Sequence, residues 1–266
     1  MKARDRAILK WAGELTVAVL VVITWPIAFA QRPRTTQVVK EPGKEAAMLI
    51  ETGQTAYEQG RFEDALRSYD KAIALSTSSP KTAALAHLKT GNVYMAQRKF
   101  DAAAAAFQKA ISLDSDYALA CNNLGEALGE LRQYNSALQA FGKAIALDPK
   151  LLRARYNTGI TYERLGRLNY AEFVFRILIR DRPDYDLGYD ALAVALSKSG
   201  RAKEAIPFHE KAIALNPQEA SYYYDLALSC LILGDTGRAV EQQQKLQQLD
   251  PRLADRLASA IVKRQL

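Results

Sequence analysis

"RQYNSALQAFGKAIALDP", residues 132–149, decides the fold. Ala137, Phe141, Ala144 and Leu147 fall three or four residues apart, which puts them on one face of an α-helix, and Pro149 closes the stretch. Nothing in it is chemically reactive. What it carries is its return: "RFEDALRSYDKAIAL" begins at Arg61, "KFDAAAAAFQKAISL" at Lys99, "QYNSALQAFGKAIAL" at Gln133, "RLNYAEFVFRILIRD" at Arg167, "RAKEAIPFHEKAIAL" at Arg201 and "DTGRAVEQQQKLQQL" at Asp235. The first interval is 38 residues and the next four are 34 each. A fixed period of this size means a stack of like units.

A second helical segment precedes each copy, as "ALACNNLGEALGEL" precedes the third and "ASYYYDLALSCLILG" the sixth. Each has a small residue in one register: Gly53, Gly91, Gly125, Gly159, Ala193 and Ala227. Glycine inside a helix costs roughly 1 kcal/mol against alanine, so a recurring one needs a packing reason. The expected reason is close approach of the two helices, with Ala65, Ala103, Ala137, Ala171, Ala205 and Ala239 as the facing residues.

The composition agrees with a folded helical chain. Of 266 residues, 49% are hydrophobic and 24% charged, which is enough apolar material for a large core. Glycine and proline are sparse between long runs of good helix formers, and no stretch alternates with the period of two that a half-buried strand requires. The class is all-α.

The period of 34, the Leu-Gly pair, the alanine, the aromatic four residues later (Tyr69, Phe107, Phe141, Phe175) and the closing Pro149, Pro183, Pro217 and Pro251 together resemble the tetratricopeptide repeat. The resemblance implies an α-solenoid: a right-handed superhelix of six helical hairpins at 46–79, 84–117, 118–151, 152–185, 186–219 and 220–251. Residues 252–266 follow as an amphipathic capping helix, since a stack needs its last apolar surface covered. Three departures stand out. Repeat one has Thr77 in place of the proline and an extra "SSPK", which predicts a longer turn into repeat two. Repeat six has Gln243 in place of the aromatic, and in repeat five Pro207 is expected in the opening turn of the second helix.

The first thirty residues follow other rules. "MKARDRAILK" is basic, residues 15–30 are uncharged, and Ala28 and Ala30 offer small residues where a signal peptidase reads. The expectation is an export signal over residues 1–30, hence an exported, periplasmic or secreted protein. The alternative is an uncleaved anchor, although 16 residues fall short of the ~20 needed to span a bilayer. No cysteine lies near the cleavage point, which excludes a lipoprotein anchor. Residues 31–45 are polar with two prolines and read as a flexible linker. Loss of residues 1–30 removes four basic and two acidic side chains and lowers the formal charge from +7 to +5. These charges are scattered without an aromatic-basic run, so nucleic acid is not the expected partner.

Nor does the chain read as an enzyme. His87 and His209 stand alone at packing positions, and Cys121 and Cys230 lie three repeats apart, beyond disulfide reach. Phosphate-binding loops and nucleophile elbows are missing from the sequence, and no cofactor, metal or small-molecule substrate is expected. The expected partner is a protein or an extended peptide, with the membrane involved only if the N-terminal segment is kept.

The family resemblance further implies that first-helix side chains line a concave groove. They are Lys89, Asn92, Asn122, Asn123, Glu126, Arg153, Tyr156, Asn157, Arg164, Lys198, Tyr224 and Asp225. Asn123 and Asn157 occupy the place whose amide holds a peptide backbone in the family. A two-carboxylate clamp of the chaperone-binding kind matches only at Asn92, Asn123 and Arg153, with Leu88 and Asn157 departing from it. Chaperone recognition is therefore not expected.

Overall fold

The computed structural model describes residues 42–265. The expected signal or anchor segment and most of the expected linker lie outside them. The described residues form thirteen helices and no strand: α1 (Pro42–Glu58), α2 (Phe62–Leu75), α3 (Pro80–Ala96), α4 (Phe100–Leu113), α5 (Ala118–Glu130), α6 (Tyr134–Leu147), α7 (Leu152–Arg164), α8 (Leu168–Asp181), α9 (Asp186–Lys198), α10 (Ala202–Leu215), α11 (Ala220–Ile232), α12 (Thr236–Leu249) and α13 (Pro251–Gln265). The helix α1 takes in the last four residues of the expected linker, 42–45, because Pro42 fits the first turn of a helix, where no backbone N–H is needed.

Within each repeat the two helices are joined by a three-residue turn whose middle residue is left-handed. Gly60, Gly166, Gly200 and Gly234 take φ of 72–83°, and Arg98 and Arg132 are forced to 58° and 59°. The residue after it donates its N–H back to the carbonyl five residues earlier, as Arg61 does to Ala56 at 2.8 Å and Gln133 to Leu128 at 2.8 Å. This closes the orphan carbonyls of the first helix.

The recurring glycines work differently from expectation. A Cβ added at Gly53, Gly91, Gly125 or Gly159 would lie 2.4–2.5 Å from Cε1 of Tyr69, Phe107, Phe141 or Phe175 respectively. The aromatic ring of the second helix, not its alanine, fills the notch. The alanines are buried beside it. Gly125→Ala therefore gains helix propensity but overlaps the Phe141 ring. Since overpacking a core costs about 1–3 kcal/mol, a net loss of about 1 kcal/mol is expected in chemical denaturation.

Two further expectations are corrected. Four residues, 76–79, separate α2 from α3, as 114–117 separate α4 from α5. The extra residues of repeat one lengthen α3 by one turn, to 17 residues against 13 for α5, instead of lengthening the loop. Pro80 stands at the new helix start, where it is favourable. Pro207 lies in the second turn of α10, not the first, because the helix begins at Ala202. It is exposed, and so is Lys203, whose carbonyl loses its helical partner. Water can meet that carbonyl, which is why the helix continues.

First helices touch first helices of neighbouring repeats: α1 meets α3, α3 meets α5, α5 meets α7, α7 meets α9 and α9 meets α11. Second helices of successive repeats do not approach through their backbones and are bridged by long side chains, as Arg238 of α12 bridges to Glu210 of α10 at 2.6 Å. The stack therefore curves with its first helices inside. At the far end α13 packs on α11 and α12, burying Leu257 and Ile261. The result is an α-solenoid closed by a capping helix.

Candidate protein-binding groove

The inner face carries a ladder of polar side chains that runs from repeat to repeat. Asn123 donates its amide N–H to Asn92 Oδ1 at 2.9 Å, and Asn122 donates to Asn123 Oδ1 at 3.1 Å and to Glu126 Oε1 at 2.9 Å. From the next repeat, Asn157 donates to Glu126 Oε1 at 2.8 Å and to Asn122 Oδ1 at 3.2 Å. Arg153 Nε sits 2.8 Å from Glu126 Oε1, and Arg164 pairs with Glu130 at 3.2 Å. These bonds set the register between α3, α5 and α7. They satisfy side chains that burial would otherwise penalise.

Burial sorts the expected groove residues into two kinds. Asn122 is fully buried and Asn123 nearly so, which makes them clasps between helices first. Asn92, Lys89, Tyr156 and Asn157 are half-buried, and Arg153 exposes 64% of its side chain. Tyr224 is half-buried, with the Arg256 guanidinium of the capping helix 5.2 Å from its ring. Tyr156 packs against Phe175 and, edge-on, Tyr185 at 6.3 Å. Burial and the nearby Asp190 push its hydroxyl up to about 12.

Between these residues the inner face opens into two adjoining cavities. One of about 370 Å³ is lined by Met95, Arg98, Phe100, Glu126, Arg153, Ile160 and Arg164 among others. The second, of about 310 Å³, reaches Tyr57, Asn92, Leu119 and Asn123 and shares Met95, Glu126 and Arg153 with the first. Apolar floor and charged rim alternate along this trough.

The junction of repeats five and six holds a buried chain of hydrogen bonds that the sequence did not reveal. His209 fills the ring position opposite Ala193, fully buried, with Nδ1 2.8 Å from Asp190 Oδ1 and Nε2 3.0 Å from Ser229 Oγ. Ser229 Oγ in turn lies 2.7 Å from Ser197 Oγ. The order Asp-His-Ser is that of a hydrolase triad. Here, however, Ser229 is 2% exposed, and no substrate carbonyl can approach its hydroxyl. A polar ring thus replaces the phenyl, and side chains from α9 and α11 meet both of its nitrogens. Asp225 of α11 lies against Asp190. Burial first, and the Asp190 carboxylate second, push its carboxyl up to about 7, against the pull of Lys198. Lys198 also reaches Glu163 Oε1 at 2.5 Å.

Cys121 and Cys230 are free, buried thiols whose ionisation burial pushes upward. Burial lowers His87. No group of three metal-ligating side chains occurs among the described residues.

Comparison with known proteins agrees with this geometry. Two family models described as tetratricopeptide repeat match, one over residues 50–118 and 191–254 and the other over 118–151. A peroxisomal targeting signal receptor from Kluyveromyces lactis is 36% identical over 84 residues, 29% of this chain; the chain spans only 15% of that protein. Among solved structures, PilW, described as a widely conserved type IV pilus biogenesis factor, superposes with TM-score 0.68 at 24% identity over 77% of this chain and 94% of PilW. MamA gives 0.55 at 26% identity over 68% of this chain and 96% of MamA. Six helical hairpins in a period of 34, aromatic rings seated in glycine notches and these matches together lead to one statement: the chain belongs to the tetratricopeptide repeat family, whose members serve as protein-interaction scaffolds.

Proposed function

We propose that the protein is a non-enzymatic adaptor of the cell envelope or secreted space that holds an extended segment of a partner protein in the groove lined by α3, α5 and α7. One observation carries this reading: two cavities of about 370 and 310 Å³ adjoin on the inner face, sharing Met95, Glu126 and the exposed Arg153, with Asn157 lining the first and Asn92 and Asn123 the second. An amide offers donor and acceptor at once, which is what a peptide unit asks for. The stretch shared with a receptor for a targeting signal supports a peptide as the guest.

Charge reversal at the rim tests the reading. Lys89→Glu with Arg153→Glu is expected to remove most proteins recovered with the full chain after crosslinking in cells, while the melting curve stays within a few degrees of the parent. An unaltered set of recovered proteins contradicts groove binding. The N-terminal segment favours export, and its alternative is a solenoid tethered by residues 15–30 beside a membrane complex. Sequencing the mature protein separates the two, because Gln31 becomes the first residue only after cleavage.

A further inference from the structure

The outer face of repeat four is unlike the outer face of its neighbours. Tyr170, Phe173, Arg176 and Arg180 follow one another at three- and four-residue steps on α8, so they form one stripe, and Tyr170 and Phe173 expose 60% and 65% of their surface. The repeat itself does not ask for these residues. Asp64, Ala102, Ser136, Glu204 and Arg238 stand in the register of Tyr170, and Arg67, Ala105, Gln139, Pro207 and Glu241 in that of Phe173. Five copies fold with small or polar side chains there. The aromatic pair in the fourth is therefore surplus to packing, and water-exposed aromatic area of this kind is what interfaces use.

The stripe is also held in shape. The Tyr170 ring stacks on Tyr162, centroids 5.3 Å apart and planes 26° apart. Arg176 donates from Nε and Nη2 to Glu172 Oε1 at 3.0 and 2.8 Å and lies 5.8 Å from the Phe208 ring. Beside Tyr170 a cavity of about 250 Å³ is lined by Arg167, Asn169 and Ser199, and Arg167 makes no ion pair among the described residues. Ordering is thus completed before any partner arrives, which lowers the entropic cost of docking.

Charge names the partner. Repeat four, residues 152–185, has seven arginines, no lysine and four acidic residues, a balance of +3; on α8 and the turn before it Arg167, Arg176 and Arg180 outnumber Glu172 and Asp181, which pair with Arg176 at 2.8 Å and with Arg180 at 2.9 Å. Repeats three and five, taken over 118–151 and 186–219, balance at 0 and −1. Guanidinium groups next to exposed rings suit carboxylates presented with apolar side chains. We infer that the outer face of α8 is a second docking surface, separate from the groove, and that its partner is an acidic protein segment bearing apolar side chains, seated on Tyr170 and Phe173 with carboxylates toward Arg167, Arg176 and Arg180.

The test uses the full chain and two fluorescent 20-residue helical peptides with the same leucine stripe, one carrying glutamates elsewhere and the other lysines. The glutamate peptide is expected to bind about tenfold or more tightly than the lysine peptide at ~0.05 M salt and to weaken steeply by ~0.5 M. Tyr170→Ser with Phe173→Gln, which installs the residues repeat three carries in this register, is expected to weaken it about tenfold with an unchanged melting curve. The rim variant Lys89→Glu with Arg153→Glu is expected to leave it intact, which keeps this surface distinct from the groove. Equal binding of the two peptides, no binding of the glutamate peptide, or no effect of the α8 variant overturns the inference. So does self-association of the chain, or attachment to vesicles of phosphatidylcholine with phosphatidylserine, that the α8 variant abolishes while peptide binding is absent.

Discussion

His209→Phe is expected to destabilise the protein by about 3 kcal/mol or more, although it installs the residue that three of the six repeats carry at this position. Two losses add. The first is steric: at the four glycine notches the ring packs so closely that a Cβ would come within 2.9 Å of several of its atoms, and repeat five has Ala193 in the notch position. The second is polar, because Asp190 and Ser229 lose a partner 2.8 and 3.0 Å away in a buried place. Ala193→Gly alone is expected to lower stability by about 1 kcal/mol through helix propensity. Made together with His209→Phe, it is expected to recover the steric part, about 1–2 kcal/mol. Denaturant titration of the four proteins measures this coupling. Effects that add within about 0.5 kcal/mol contradict the notch.

Asp225 gives the second large effect. Its carboxyl is raised by burial and by Asp190, so the folded state binds a proton that the unfolded chain releases near the ordinary carboxylate value. Stability from this group is greatest below that value and falls as pH rises toward about 7, where the folded carboxyl ionises beside Asp190. The opposite slope holds for an ordinary salt-bridged carboxylate. Asp225→Asn is expected to flatten the decline between about pH 4 and 7 and to exceed the parent in stability at pH 8, by an amount on the order of a few kcal/mol. Urea midpoints at pH 5 and pH 8 for both proteins decide it. A parent more resistant than Asp225→Asn at pH 8 overturns the assignment.

The fold was legible because its signals repeat. Six copies of the alanine and of the small residue place twelve helices without a coordinate, and Leu253, Leu257 and Ile261 announce the cap. The partner of the glycines was misread, since helical spacing says which residues share a face and not which one reaches across. A usable signal existed: where glycine gives way to Ala193 and Ala227, the aromatic gives way to His209 and Gln243, sixteen residues on in every case. The groove was harder. Register put Asn122 and Tyr224 on the inner face, but one is buried by Asn157 and Glu126 from its own ladder and the other lies beneath Arg256 of α13. Contacts between repeats decide exposure, and period alone does not contain them. The buried Asp190-His209-Ser229-Ser197 chain was hidden for the same reason, because its members come from α9, α10 and α11.

The central claim is that company is kept on the inner face, between the first helices. A photoreactive amino acid placed at Met95, on the shared wall of the two cavities, measures it most directly, with the same residue at Gln139 on the exposed side of α6 as the reference. Illumination of living cells is expected to give discrete higher-mass adducts from position 95 and none from position 139. Adducts from position 139 with none from position 95 would contradict the account.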